Sequence, residues 1–553
     1  MADLAFLWHM HQPDYRHPDS GDFLLPWVFL HAIKDYTDMA AHLERHPTIR
    51  CTVNFVPVLL DQIEDYADQF ASGKWRDPLL RIASWPTPDT LPKEDRDWLL
   101  DMCFRCHAPT MLEPFAPYRR LRDILNFVRS HDGNGLDYLS GAFLSDLATW
   151  YLLAWSGESL RRSGTTIPEL MAKGDSFTLA DRQNLLDALG SAVAGLIPRY
   201  RALAETGQIE LICTPDTHPL GPLLIDFNSA REAWPECPLP AAPEYPGGRS
   251  RMETHLAMAR ESHTRRFGKA PVGLWPAEGA LSTAFLKLIA EAGFAWTASS
   301  QGVLKHSAGS SAKTTQAWQA PEGTPGDMTL FFRNEHLSDL IGFEYANWHG
   351  RDAAQHFMTE LKALHLQDAQ NLIPVFLDGE NAWEYYPYNA WYFFSDLYEA
   401  LEKNPAIRTV TLSEAAANHH ERRQLLPRLI AGSWVYGTLS TWIGNPDKNR
   451  AWEMLCDVKQ CADRALDSGR MSDDTRREVM RRLAICESSD WFWWLGDYNS
   501  PESVASFDKL FRENLKALYR LLNLPLATSL DHPISKGGGE PESGGTMRRA
   551  NQN

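Results

Sequence analysis

The chain has no excess of basic residues: 54 Lys and Arg stand against 71 Asp and Glu in 553 residues, a formal charge of −17. Nucleic acid and anionic membrane surfaces are polyanions that recruit Lys and Arg, so neither is expected as a partner. No apolar run reaches the roughly 18 residues of a membrane-spanning helix. Residues 1–13 (MADLAFLWHMHQP) show no basic n-region and no cleavage site, so a cytoplasmic protein is expected. Cysteine is sparse, eight residues scattered through a long chain, which suits reduced thiols rather than a disulfide framework. Cys103-x-x-Cys106-His107 has the spacing of a c-type haem attachment site. That attachment belongs to exported proteins, so a chance match on a helix is expected.

What is present is an ordinary globular composition, 44% hydrophobic and 23% charged, in a chain long enough for a large domain plus a second unit. Short apolar runs at 4–8, 49–56, 210–213, 272–275, 294–298, 329–332, 374–377 and 409–412 read as strands separated by helix-length segments. Such alternation implies βα units and a parallel sheet. Polar residues stand at the strand ends: His9 and His11, Asn54, Glu278, Ser299, Arg333, Asp378 and Ser413. Active sites of parallel barrels are assembled at the C-terminal ends of their strands. The expected architecture is an α/β fold, a distorted or incomplete barrel over residues 1–417, with a helical insertion at about 61–200. Residues 418–526 read as a helical domain completing the cleft, and 527–553 as a disordered tail. Residues 307–325 read as an exposed loop.

The centre of the pattern is 373–387, IPVFLDGENAWEYYP, where an apolar strand stops at Asp378 and aromatics follow. A buried carboxyl at such a strand end can have its pKa raised into the range of a general acid. Glu278 follows a similar strand that ends in Trp275-Pro276. Two carboxyls, each beside tryptophan, are the pair needed to break a glycosidic bond, and aromatic rings stack on sugar C–H faces. His9-Met10-His11 after the first strand directs both imidazoles to one face. They could hydrogen-bond sugar hydroxyls, ligate a metal, or be ordinary buried histidines. The remainder of a metal site is not found, so no metal is expected.

Five segments in order resemble the motifs of glycoside hydrolase family 57: His9–Pro13, Gly207–Glu210, Trp275–Glu278, Leu377–Asn381 and Gly432–Trp434. The runs 214–224, 337–343, 440–452 and 490–497 are similar to its amylopullulanase and α-amylase branch, more than to its branching enzymes. The resemblance implies a seven-membered (β/α) barrel followed by a helical domain. It also implies an α-glucan substrate and no cofactor. In this sequence Glu278 occupies the nucleophile position and Asp378 the general acid/base position, giving retention with carboxyls roughly 5–5.5 Å apart. His11 would contact the sugar with His9 in support, and Glu210 would hold the neighbouring hydrogen-bond network or serve as a buried salt-bridge partner. Trp434 and Asp490 would complete the acceptor side. Trp275 and Trp383 would be stacking platforms or packing beneath the site, and Arg333 would orient a carboxylate or form a surface salt bridge. Two departures concern subsite and linkage preference: Ala298-Ser299-Ser300-Gln301 replaces an Ala-Thr-Asp-Glu run, and Arg333-Asn334 replaces Arg-Asp. The expected function is retaining hydrolysis of α-1,4 bonds, with or without α-1,6 bonds, in glycogen, starch or maltodextrins. The rivals are a transglycosylase, a metal-dependent deacetylase or amidohydrolase using His9 and His11, and a non-catalytic glucan-binding protein.

Overall fold

The computed structural model describes residues 1–131 and 135–539. Its strands are β1 (Ala2–Met10), β2 (Cys51–Phe55), β3 (Ile209–Cys213), β4 (Gly273–Leu274), β5 (Trp296–Ser300), β6 (Trp318–Gln319), β7 (Thr329–Arg333), β8 (Leu372–Asp378), β9 (Ile407–Thr409) and β10 (Gln424–Leu425). Seven of them form a parallel array in the order β7-β5-β4-β3-β2-β1-β8. Between its outer members β7 and β8 no ladder forms. The seam is crossed instead by the Asn334 amide donating to the Pro374 carbonyl, 2.9 Å, and by Arg333 Nε donating to the Phe376 carbonyl, 2.9 Å. The result is the expected (β/α)7 barrel, distorted at one seam. β9 pairs with the start of β1, and β6 runs antiparallel to β7 with β10 on its far side.

Side-chain alternation along a strand divides the core in two. In β1, Leu4, Phe6, Trp8 and Met10 join the large outer core beneath the helices. Ala5 and Leu7 join Ile212, Trp275, Trp296, Ala298, Phe331 and Phe376 in a small inner cluster that fills the barrel. The inward column of β1 therefore continues as His9, that of β7 as Arg333, and that of β8 as Asp378. The chemistry sits at the C-terminal end of the barrel because the period of two puts it there. Val410, Leu412 and Ala415 close the opposite end; Thr411 caps the helix Leu412–Asn418, so the strand expected at 409–412 is a strand end followed by a helix start.

Between β2 and β3 the chain is helical, from Pro57–Ser72 to Leu179–Glu205. The apolar helix Gly141–Trp155 is buried along almost its whole length, capped by Ser140, with Trp155 packed on Trp27. After β10 the helices Pro446–Asp467, Asp473–Cys486, Ser489–Trp494 and Pro501–Leu521 follow. Three expectations need correction. Residues 307–325 are not wholly an exposed loop, since β6 lies within them and Trp318 is buried. The helix-only pattern starts after β10 rather than at 418, because β10 still belongs to the sheet. The tail expected from 527 is ordered as far as 539. Leu530 and Ile534 are buried, and the Ile534 amide donates to Asp508 Oδ1, 2.7 Å. Low local hydrophobicity hid two anchoring side chains there; residues 540–553 lie outside the described residues. Among the described residues no helix is long and apolar enough to cross a membrane, and the eight cysteines are free.

Candidate active site

A cavity of about 450 Å³ opens at the C-terminal end of the barrel, within the range that holds small ligands. Its floor carries His9, His11, Glu278, Arg333, Asp378 and Glu380. The insertion contributes Phe104, Arg105 and Cys106, and the C-terminal region contributes Trp434, Asp490, Trp494, Glu502 and Phe507. Glu278 and Asp378, a hundred residues apart in sequence, share this one cavity.

Glu278 sits on the turn Ala277–Gly279, in the left-handed region (φ 59°, ψ 20°). A non-glycine residue there costs about 1–3 kcal/mol and persists only where its surroundings enforce it. The enforcement is visible. The Trp434 amide donates to the Glu278 carbonyl, 2.9 Å; the Ser299 hydroxyl donates to the Gly279 carbonyl, 2.6 Å; Ala280 closes the turn onto Ala277. Both carboxylate oxygens accept. Ser489 Oγ donates to Oε1, 2.9 Å, and Trp434 Nε1 donates to Oε2, 3.0 Å. Burial, the Asp490 charge and the Asp378 charge push this carboxyl up to about 8, against the lowering pull of the Ser489 and Trp434 hydrogen bonds.

Asp378 ends β8. Asn381 Nδ2 donates to its Oδ2, 2.9 Å. Burial raises it to about 6, while Asn381 and the nearby His11 and Arg333 pull the other way. Taken singly, these values would leave the proton on Glu278. The two carboxyls interact, however, and titrate as a pair. Their hydrogen bonding is unequal: both Glu278 oxygens face donors, whereas Asp378 has one oxygen so engaged.

Around them, His9 Nδ1 accepts from Asn54 Nδ2, 2.6 Å, and His9 Nε2 meets His218 Nε2 at 3.1 Å. His218 Nδ1 donates to Ser489 Oγ, 2.8 Å. Burial, together with the neighbouring histidines, holds both His9 and His218 well below the usual imidazole range, so both are neutral. His11 pairs with Asp490, 2.9 Å, and stacks on His218 with ring centres 3.8 Å apart. His11, His218 and Asp490 offer ligand atoms within 4.8 Å of one another. The two rings lie nearly parallel, 16° apart, so their in-plane lone pairs do not converge on one point. Both His218 nitrogens are also engaged. The donor set does not fit a tetrahedral metal.

A family model described as Glycosyl hydrolase family 57 matches residues 5–427. The chain belongs to glycosyl hydrolase family 57. Among solved structures it is similar to a family 57-type branching enzyme from Pyrococcus horikoshii (TM-score 0.57, 15% identity, 100% of this chain and 99% of that one). It is also similar to the α-amylase AmyC from Thermotoga maritima (0.56, 12%, 96% and 95%) and to a 4-α-glucanotransferase from Thermococcus litoralis (0.51, 14%, 94% and 60%). At these identities the likeness carries the fold. Comparison with curated protein sequences finds no match.

Of the residues singled out from the sequence, Glu278, Asp378, His9, His11, Arg333, Trp434 and Asp490 all line the family 57 cavity. Arg333 is buried rather than at the surface, donating to Asp339 Oδ1, 2.7 Å. Three others are elsewhere. Trp275 is fully buried inside the barrel, edge-on to Phe376 and Trp434. Trp383 is buried among Trp8, Tyr386 and Phe394, its Nε1 donating to the Gly379 carbonyl, 2.7 Å. Both rings pack beneath the site and are not platforms. Glu210 lies two residues upstream of Ile212 on the inward column of β3, hence toward the opposite end of the barrel. It accepts from the Ser413 amide, 2.9 Å, and from Thr52 Oγ1, 3.3 Å, capping the helix Leu412–Asn418. It is neither in the cleft nor in a salt bridge.

The substituted positions have local roles. Buried Ser300 donates to the Ser433 carbonyl, 2.8 Å, and caps the following helix at Val303, 3.1 Å. Asn334 caps the helix Glu335–Asp339 through its Oδ1, 3.0 Å from the Leu337 amide. His218, Ser489 and Glu380 were not singled out as site residues. The signals were there: each lies in or beside a run that resembles the family. Glu380 Oε1 accepts from the His11 amide, 3.1 Å, and burial beside Asp378 pushes this carboxyl well above its usual range. Cys103-x-x-Cys106-His107 is no haem site: both thiols are buried and His107 bonds Thr110, 2.8 Å.

Proposed function

We propose that this chain is a retaining α-glucan-active enzyme, with Glu278 as nucleophile and Asp378 as general acid/base. The observation that carries the reading is the unequal hydrogen bonding of the two carboxyls in one cavity. Glu278, with a donor on each oxygen, is held as an anion. Asp378, with one oxygen not so engaged and a pKa raised by burial, can deliver a proton.

In the first step a Glu278 oxygen bonds to the anomeric carbon as the glycosidic C–O bond breaks. The Asp378 proton goes to the leaving oxygen. In the second, water attacks the same carbon, Asp378 takes its proton, and Glu278 departs as carboxylate. The aromatic lining, with Trp27, Trp434, Trp494 and Phe507 beside polar donors and acceptors, suits a ring with one apolar face and hydroxyls around its edge. Neither step uses a metal or an organic cofactor.

Hydrolysis of α-1,4 bonds, with or without α-1,6 bonds, is the reading we adopt. Transfer to an acceptor glucan uses the same residues, and the similar structures include a branching enzyme and a 4-α-glucanotransferase as well as an amylase. The test is to incubate the protein separately with amylose and with pullulan, with and without maltose. Reducing ends rising without maltose support hydrolysis. Redistributed chain lengths or new branches with no net reducing ends would assign transfer. No product from either glucan overturns the proposal.

A further inference from the structure

The network behind Glu278 is directional. The Ser489 hydroxyl has one proton and gives it to Glu278 Oε1, 2.9 Å. Its lone pair accepts from His218 Nδ1, 2.8 Å. That fixes the His218 tautomer: Nδ1 carries the hydrogen, so Nε2 is bare and accepts from His9 Nε2, 3.1 Å. His9 Nδ1 is then bare in turn and accepts from the Asn54 amide, 2.6 Å. Each link uses one proton, and the chain is self-consistent only with both imidazoles neutral. A second proton on His218 would set two N–H groups against each other across the 3.1 Å contact, and one on His9 would face the Asn54 amide group at 2.6 Å. The chain ends in an amide, which does not relay protons, so it orients and does not conduct.

The backbone around it is equally constrained. The Ser489 amide donates to the His218 carbonyl, 2.9 Å, and Pro219 and Ser488 form an isolated antiparallel bridge. His218, like Glu278, is left-handed (φ 66°). Thus the loop after β3 is fastened to the C-terminal helical region at the point where that region reaches the carboxylate. His218 itself stands 3.9 Å from Glu278 Oε1, too far for a direct hydrogen bond.

We infer that Ser489, aimed by His218, is a positioning residue that holds Glu278 Oε1 in its attacking geometry and stabilises the carboxylate each time it forms or departs. With one lone pair engaged by His218, the hydroxyl hydrogen is directed at Glu278 Oε1, the acceptor 2.9 Å away. The titratable groups facing Glu278 are Asp378 and Asp490, with His11 and the neutral His218 alongside. The inference rests on Glu278 being the nucleophile, so Glu278→Gln is measured in parallel on the full-length protein.

Removing a hydrogen bond to a charged group lowers a rate about 10- to 100-fold. Ser489→Ala is expected to lower kcat by that factor on maltooligosaccharides with KM within about twofold. The acidic limb of its pH profile should move up. On an α-maltosyl fluoride, whose leaving group needs no acid, the Ser489→Ala loss should persist while an Asp378→Asn loss is relieved. His218→Asn keeps a side chain tolerated at positive φ and is expected to show a smaller loss of the same pattern. If Glu278→Gln is inactive while Ser489→Ala retains the wild-type kcat and pH profile, the inference fails and the functional reading stands. If Glu278→Gln retains activity, the functional reading itself fails. A Ser489→Ala defect confined to KM, or accompanied by a lowered Tm, would assign Ser489 a purely structural role and overturn the proposal.

Discussion

At the scale of single residues, the site is a problem of one proton and two carboxyls. Burial raises both, to about 8 for Glu278 and about 6 for Asp378. The working form carries one proton, so kcat/KM is expected to be bell-shaped with limbs near about 6 and 8. Activity rises as the pair loses its first proton and falls as it loses the second. A profile flat from pH 5 to 9 would contradict the assignment. Asp378→Asn should abolish the alkaline limb along with most activity. Trp434→Phe keeps the ring in the cleft but deletes the Nε1 donor to Glu278 Oε2. Its kcat is expected to fall about tenfold, the effect of one hydrogen bond to a charged acceptor, measured beside an unchanged Tm.

At the scale of elements, the site depends on segments that meet the barrel from outside it. The stretch leading to Ser489 and Asp490 is anchored one turn earlier by Glu487. Glu487 accepts from Arg251 on both oxygens, 2.7 Å each, from His255, 2.7 Å, and from Tyr245, 2.5 Å. Burial alone would raise this carboxyl, but Arg251 and His255 outweigh it and hold it well below the usual range. Removing one partner of a buried ion pair costs about 3–5 kcal/mol. Arg251→Ala should therefore lower Tm clearly, and lower activity more than its distance from the carboxyls implies. At the far end of the same region, a truncation after residue 527 removes buried Leu530 and Ile534, each worth about 1.5–3 kcal/mol of burial. A thermal melt unchanged by that truncation would show the packing to be unimportant.

At the scale of the whole molecule, carboxyls raised by burial set the pH dependence of stability. Glu278, Asp378, Asp77 and Asp216 titrate in the fold at about 8, 6, 6 and 6, above their unfolded values. Between those limits the native state binds more protons than the unfolded chain, so stability falls as pH rises. Buried neutral His9, His42 and His218 act in the opposite sense below about pH 6.5, so Tm should decline from about pH 6.5 toward 8. Removing either member of the pair, by Glu278→Gln or Asp378→Asn, should flatten the upper part of that decline and raise Tm at pH 8, as one fewer anion has to be buried. Glu487 acts in the opposite sense: its depressed pKa gives stability present above the unfolded value and lost as pH falls below it.

Local periodicity and chemical type made part of this protein legible before any fold was known. Alternation along 4–8 and 374–377 placed His9 and Asp378 on inward columns. An abrupt end to an apolar run marked Glu278, and the ordered motifs pointed to the family. The same signals missed where identity is cheap and neighbours decide. Tryptophan reads alike whether it lines a cavity, as Trp434 does, or fills the barrel, as Trp275 does. Glu210 looked like a cleft residue, but a strand has two ends and its sequence does not say which end opens to solvent. Only the tertiary structure brought residues 9, 54, 218, 278 and 489 together, because a hydrogen-bond chain through five distant segments leaves no period in any one of them.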